Sequence, residues 1–142
     1  MTDLAEDPAE GHAPRRRSEA WLRRAFPLVA WVFVGCVVIQ FFLVGLRVFD
    51  AKPFTELHSD FAYLYGWLTP ILVLFAASPA GSPRALRLAA ALLVLFAVQT
   101  FLPLLAKSAP GLGAFHALNA LVVAWFAVAL ARAARSPDSV GT

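Results

Sequence analysis

Four long stretches of the chain contain no Asp, Glu, Lys or Arg, and this feature limits the possible folds more than any other. They cover residues 25–46, 61–83, 88–106 and 108–131. Each is close to the ~20 residues that an α-helix needs to cross a hydrocarbon core of ~30 Å. Helices are required because lipid offers no partner to free backbone groups, and the alternation typical of barrel strands is missing. The sequence therefore predicts an all-α integral membrane four-helix bundle.

The composition agrees with this fold, since 60% of the 142 residues are hydrophobic and only 15% are charged. The formal net charge is +3, but the basic residues lie at the ends of the apolar stretches rather than on one continuous face. They are typical of topology signals and indicate a lipid bilayer, not nucleic acid, as the partner. The single cysteine, Cys36, excludes an internal disulfide, a zinc finger and a c-type haem attachment motif.

We expect three segments along the chain. Residues 1–24 begin with acidic residues, end with basic ones and contain two prolines. We predict that this segment is a disordered cytoplasmic tail. Residues 25–134 are predicted to form the four-helix transmembrane domain, and 135–142 a short cytoplasmic tail. The first apolar stretch exceeds 20 residues and lacks a small-x-small cleavage site, so we expect an anchor rather than a signal peptide. The Pro- and Gly-containing segment 78–83 predicts a tight turn between spans two and three.

The distribution of Lys and Arg predicts the orientation. If the N-terminus is cytoplasmic, the inner segments hold nine such residues and the outer loops hold three. This asymmetry in short loops predicts a multi-pass protein of the cell membrane with both termini in the cytoplasm. The three outer residues are Arg47, Lys52 and Lys107, and the inner nine are Arg15, Arg16, Arg17, Arg23, Arg24, Arg84, Arg87, Arg132 and Arg135.

Two prolines lie well inside the predicted spans, away from their ends. Pro70 and Pro103 each remove the helical hydrogen bond to the carbonyl four residues earlier, which belongs to Gly66 and to Gln99. A kink beside Gln99 would widen the bundle on its outer side. The alternative is that proline is merely tolerated in membrane helices.

The fourth span carries a stripe of small residues at steps of four and three. Such a stripe favours close approach of a neighbouring helix, either within the chain, in a homo-oligomer or in a larger membrane complex. The alternative is that alanine is simply abundant in this chain. The stripe consists of Gly113, Ala117, Ala120, Ala124, Ala127 and Ala131.

Five polar residues fall at one depth, in the predicted outer half of the bundle. They are Gln40 in the first span, His58 in the second, Gln99 in the third, and His116 and Asn119 in the fourth. Polar groups in a bilayer are costly and usually face a bundle interior or a cavity. We therefore predict that these five residues form one site.

Three interpretations of this site remain open. His58 and His116, on two parallel helices, are a candidate pair of iron ligands for haem b, with Gln40, Gln99 and Asn119 as hydrogen-bond partners around it. The polar residues are alternatively a hydrogen-bonded packing network between helices. The third interpretation is a path for protons or a small solute, formed in an oligomer.

Four parts of the chain carry a resemblance: 38–46 (VIQFFLVGL), His58 with Gly66, Gln99, and 116–119 (HALN). Together they resemble a family of short bacterial four-span membrane proteins, common in actinobacteria, that is defined as a domain of unknown function. The resemblance covers roughly residues 28–134. It implies the four-span fold and the importance of these polar residues, and it implies no activity. The fourth-span pattern of the family is His-Pro-Val-Asn-Gly, of which this chain keeps the His and the Asn.

A looser likeness connects the chain with membrane b-type cytochromes, which use histidines on membrane helices as haem ligands. No nucleophile with a partner base, phosphate loop or metalloprotease spacing is present in the sequence. We therefore expect no hydrolysis or phosphoryl transfer. The functional hypotheses are a structural or accessory membrane subunit, an electron-transfer protein with haem b, and a transporter that works as an oligomer.

Overall fold

The computed structural model describes residues 13–49, 54–109 and 111–135, and this part of the chain contains helices and no strand. Four helical segments are long and apolar enough to cross a membrane, which confirms the predicted all-α four-helix bundle. We call them spans 1 to 4: Ser18–Val48, Glu56–Ala77, Pro83–Ala106 and Leu112–Ala133. The helices themselves are α1 (Ala13–Val48), α2 (Phe54–Gly66), α3 (Leu68–Ala77), α4 (Pro83–Ala106) and α5 (Leu112–Ala133).

Helix α1 begins before the first apolar stretch. It starts at Ala13, so residues 13–24, which we predicted to be part of a disordered tail, are helical. This segment is rich in Arg, Ala, Leu and Glu, which favour helix, and Pro14 lies in the first turn, where proline is tolerated. Residues 1–12 and 136–142 of the predicted tails lie outside the described residues.

Each span packs against its neighbours in the chain, and span 1 also packs against span 4. Spans 2 and 4 are therefore diagonal in the bundle, as are spans 1 and 3. Because successive spans alternate in direction, spans 2 and 4 are parallel. Both start at the end of the bundle that the charge distribution predicts to be outer, and we call this end the predicted outer end.

The best-packed core lies toward the opposite end. Phe26 and Phe33 of span 1 are fully buried, as are Leu72, Leu92 and Leu130, one from each other span. The rings of Phe26 and Phe75 stack with centroids 5.9 Å apart. This close packing fixes the four helices relative to one another at the inner end. The polar residues of the predicted site lie at the predicted outer end.

A short turn joins spans 2 and 3, as predicted. Helix α3 ends at Ala77 and α4 begins at Pro83. The Ser82 hydroxyl accepts a hydrogen bond from the Ala85 N–H at 3.2 Å and so caps α4. At Gly81 a Cβ atom would clash with the Ala76 carbonyl at the end of the preceding helix. Only glycine fits at this point of the turn.

Span 2 is interrupted between Gly66 and Leu68, where α2 ends and α3 begins. Pro70 has no N–H for the Gly66 carbonyl, and the Thr69 hydroxyl donates to that carbonyl instead at 2.8 Å. Thr69 is only 2% exposed, so this bond is sheltered inside the bundle. At Gly66 a Cβ would lie 2.7 Å from Phe96 Cε1, so the missing side chain lets span 3 approach closely.

Candidate functional site

A hydrogen-bonded network joins spans 3 and 4 near the predicted outer end. The Gln99 amide nitrogen lies 3.2 Å from His116 Nε2 and donates to the His116 carbonyl at 3.0 Å. The Asn119 amide nitrogen donates to Gln99 Oε1 at 2.7 Å and to the Leu95 carbonyl at 3.0 Å. With the bond between His116 Nδ1 and the Gln99 carbonyl, at 3.1 Å, five hydrogen bonds connect the two helices.

These contacts define the protonation of His116. Its Nδ1 faces the carbonyl oxygen of Gln99, which can only accept, so Nδ1 carries the hydrogen. Its Nε2 faces the amide NH₂ of Gln99, which can only donate, so Nε2 carries a lone pair. His116 is therefore a neutral imidazole held at both nitrogens.

Pro103 makes this arrangement possible. It lacks the N–H that would otherwise bind the Gln99 carbonyl, and the freed carbonyl accepts the Nδ1–H of His116. The sequence predicted that this carbonyl would be free. The structure adds its partner, which comes from the neighbouring span.

A second polar contact joins spans 1 and 2 at the same end. The Gln40 amide nitrogen donates to the His58 carbonyl at 2.8 Å. Gln40 Oε1 and His58 Nδ1 are both buried and have no hydrogen-bond partner. Exchanging the amide oxygen and nitrogen of Gln40 would place two oxygens against each other, so the orientation of this side chain is defined.

The two polar pairs line one cavity of about 620 Å³ between the helices. Spans 1 and 2 contribute Gln40 and His58, and spans 3 and 4 contribute Gln99 and His116. A volume of this size falls in the roughly 300–1,000 Å³ range of small-molecule sites in proteins. The structure thus brings four of the five predicted residues to one cavity, and Asn119 supports them by holding Gln99.

Aromatic rings form part of the cavity wall on the side of the core. Tyr65 and Phe96 both line it, with ring centroids 5.3 Å apart in an edge-to-face arrangement. Phe33 and Phe61 pack behind Tyr65 at 5.4 and 5.3 Å. Each contact is an aromatic pair at the usual separation, so this wall is firmly supported.

Arg47 and Tyr65 are among the lining residues that the sequence analysis did not assign to the site. Arg47 follows Gln40 by seven residues, and Tyr65 follows His58 by seven. Seven residues are close to two helical turns, so each pair lies on one helix face. That spacing could have placed both residues at the site from the sequence. Arg47 had been interpreted as a topology signal alone.

The stripe of small residues in span 4 is buried inside the bundle only at its inner end. Ala127 and Ala131 are 2% and 0% exposed, so the inner part contacts the other helices of the chain. The outer part, Gly113, Ala117 and Ala120, lines the cavity and leaves its space open. The inner part of the stripe is therefore a contact within the chain, and docking of a partner on the rest of the stripe stays a prediction.

Among the described residues, no group of three or more His, Cys, Asp or Glu is placed to hold a metal ion. Of the histidines in the described part of the chain, His58 and His116 both line the cavity. Comparisons of the chain with family models, curated proteins and solved structures find no match. The function therefore has to be argued from the site.

Proposed function

We propose that the chain is a small accessory membrane protein that binds an amphipathic small molecule in the cavity at the predicted outer end. The observation that carries the proposal is the cavity of about 620 Å³ with histidine and glutamine side chains from all four spans on its wall. Such a site combines an apolar wall with a few convergent polar groups, which is the usual composition of a ligand pocket. The nine-to-three distribution of Lys and Arg supports a location in the cell membrane with both termini cytoplasmic.

Binding explains the polar side chains better than packing alone. The bonds between spans 3 and 4 satisfy Gln99, His116 and Asn119, as a packing network would. Gln40 Oε1 and His58 Nδ1 remain unsatisfied. An unpaired buried polar atom costs about 1–3 kcal/mol, so packing alone does not explain why these two residues stand at the cavity.

The proposal is tested by filling the cavity. Ala114 and Ala117 are both exposed residues of the same helix, but only Ala117 is among the lining residues. The small molecules that co-purify with the protein are extracted and quantified by mass spectrometry, per mole of protein. We expect at least one compound to be depleted in Ala117→Phe and retained in the matched control Ala114→Phe. Equal extracts from the wild type and both variants would refute the proposal.

Haem b bound by His58 and His116 is a second candidate, favoured by the presence of both imidazoles at one cavity on diagonal spans. A bond from Nδ1–H to a backbone carbonyl, as in His116, is the usual support of a histidine that ligates through Nε2. Binding would require Gln99 to turn its amide away from that Nε2. Haem would supply one-electron chemistry at this depth.

The visible spectrum tests this candidate. Protein purified from haem-replete cells should show a Soret band that His58→Ala and His116→Ala abolish, whereas His12→Ala should leave it unchanged. A colourless wild-type preparation refutes haem binding. It leaves the proposal of another amphipathic ligand standing, because that proposal is judged by the extraction experiment.

A further inference from the structure

The cavity is elongated along the bundle, and the step taken here rests on the proposed function. In span 1 the lining residues run from Val37 to Arg47, and in span 4 they run from Gly113 to Val123. Each of these stretches covers about 15 Å, because an α-helix rises ~1.5 Å per residue. The cavity therefore extends from the predicted outer end of the bundle toward the core.

The inner end of the cavity carries no charge. Each span contributes one innermost lining residue, and these are Val37, Tyr65, Phe96 and Val123. All four belong to the buried core or pack directly against it. An apolar chain that reaches this end leaves water or lipid for a packed apolar surface, which is favourable.

The polar side chains halfway along the cavity are largely bonded within the chain. Gln99 and His116 bond to each other through side chains and backbone. The Gln40 amide nitrogen donates to the His58 carbonyl. The unpaired Gln40 Oε1 and His58 Nδ1 are buried, so they do not open into the cavity. The polar head of a ligand is therefore not held at this depth.

The outer end of the cavity is positively charged. Arg47 is permanently charged, and among the described residues that line the cavity no Asp or Glu accompanies it. Glu56 and Asp60 flank His58 in span 2 but are not lining residues. An organic cation would meet a fixed positive charge without a counter-charge on the wall, which is unfavourable in a low dielectric. A carboxylate or phosphate matches the several donors of a guanidinium.

The guanidinium of Arg47 is available to a ligand. It is exposed and, within the described part of the chain, forms no ion pair or hydrogen bond. The alternative partner is the layer of lipid headgroups, toward which long basic side chains extend. Lys107 is exposed at the same end of the bundle but does not line the cavity. The two basic residues therefore separate a cavity site from a general attraction to headgroups.

We propose that the cavity binds an amphiphile with an anionic head and an acyl chain, with the head outward and the chain inward. The carboxylate or phosphate of the head pairs with the Arg47 guanidinium. The chain runs along the cavity past Ala117 toward the core. A free fatty acid and an anionic phospholipid share this chemistry.

The test compares two probes with the same chain. Dodecanoate has the anionic head, and its methyl ester does not. Binding of each radiolabelled probe to the full chain is measured in phosphatidylcholine nanodiscs, at an alkaline pH that keeps the acid ionised and at equal probe concentration in the bilayer. We expect dodecanoate to bind about tenfold more tightly, since the ester loses the charge-assisted hydrogen bonds to Arg47. Equal affinity for the two probes would overturn the inference.

Two variants that remove the same formal charge assign the preference to a position. In Arg47→Gln the preference for the acid should fall below about twofold. Lys107→Gln should keep the full preference, because Lys107 does not line the cavity. A preference that survives Arg47→Gln, or that falls equally in both variants, contradicts the inference. The comparison of the two probes on the wild type stands even if a variant fails to fold.

The direction of the chain is tested with the two phenylalanine variants of span 4. Ala117→Phe should weaken dodecanoate binding by at least about tenfold, because the ring occupies the path of the chain. Ala114→Phe, at a position outside the lining, should leave binding unchanged. Unchanged binding in Ala117→Phe would place the chain in lipid and contradict the proposed orientation.

The same measurements separate this inference from the proposed function. If the acid and the ester bind equally and Ala117→Phe weakens both, the cavity binds an amphiphile without selecting its charge, so the inference fails and the proposed function stands. If neither probe binds and no compound is depleted from Ala117→Phe, both proposals fail. Addition of phosphatidylglycerol to the nanodiscs identifies the source. Displacement of dodecanoate supports an anionic phospholipid, and undiminished binding supports a free fatty acid.

Discussion

Replacing Gln99 by leucine removes three of the five hydrogen bonds between spans 3 and 4. The lost bonds are those of its amide nitrogen with His116 Nε2 and with the His116 carbonyl, and that of its amide oxygen with Asn119. The bond from His116 Nδ1 to the backbone carbonyl of residue 99 and the bond from Asn119 to Leu95 do not need this side chain. The perturbation is therefore confined to one side of the network.

The expected loss of stability follows from the number of bonds. Hydrogen bonds between membrane helices contribute about 0.6 kcal/mol each on average, so three give about 2 kcal/mol. This corresponds to a change of about 25-fold in the unfolding equilibrium constant, because about 1.4 kcal/mol is a factor of ten. The neighbouring substitution Thr100→Val is the matched control, since it removes only a bond within the same helix, to the Phe96 carbonyl.

The measurement is equilibrium unfolding in mixed micelles with increasing sodium dodecyl sulfate, followed by tryptophan fluorescence. We expect Gln99→Leu to lower the free energy of unfolding by about 2 kcal/mol and Thr100→Val by less than about 0.6 kcal/mol. A double-mutant cycle with Asn119→Leu should show coupling, because the two side chains share a 2.7 Å bond. Equal effects of Gln99→Leu and Thr100→Val, or additive effects in the cycle, would refute the network as a source of stability.

Three further predictions concern packing, the turn and topology. Gly66→Ala should destabilise the protein by about 1–3 kcal/mol through contact with Phe96, and the additional substitution Phe96→Leu should restore part of that loss, measured in the same micelles. Gly81→Ala should be worse and not rescued by any single side-chain change, because its Cβ would meet backbone. After replacement of the native cysteine by alanine, Ser108→Cys should react with a membrane-impermeant maleimide in intact cells and Ala80→Cys should not, and the reverse pattern would invert the orientation.

The fold was predictable from the sequence. In lipid, apolar segments of this length form helices because a helix pairs their backbone N–H and C=O groups internally. The helix ends were less predictable. The third charge-free stretch, 88–106, begins five residues after the observed start of α4 at Pro83. Arg84 and Arg87 lie within that helix, since long basic side chains at a helix end can extend toward headgroups. Counting charges therefore gives the number of spans more reliably than their ends.

The depth of the polar residues was predictable, but their pairing was not. Position along a span gives the level of a side chain in the bilayer. Which neighbour it meets depends on the rotation of each helix about its axis, which packing in the core determines. Thus Gln99 meets His116 and Asn119, whereas Gln40 meets the backbone of His58. The cavity itself arises from small residues whose sequence spacing is equally typical of a helix contact.

The two prolines show where local sequence is sufficient and where it is not. The carbonyl freed by Pro70 is bound by Thr69, one turn or less away in the same span, so its partner is visible in the sequence. The carbonyl freed by Pro103 is bound by His116 of another span. That bond fixes the hydrogen of His116 on Nδ1 and holds its ring at the cavity wall. Pro103 is therefore more than a tolerated residue. A residue with an N–H at position 103 would bind the Gln99 carbonyl within its own helix and leave none for His116.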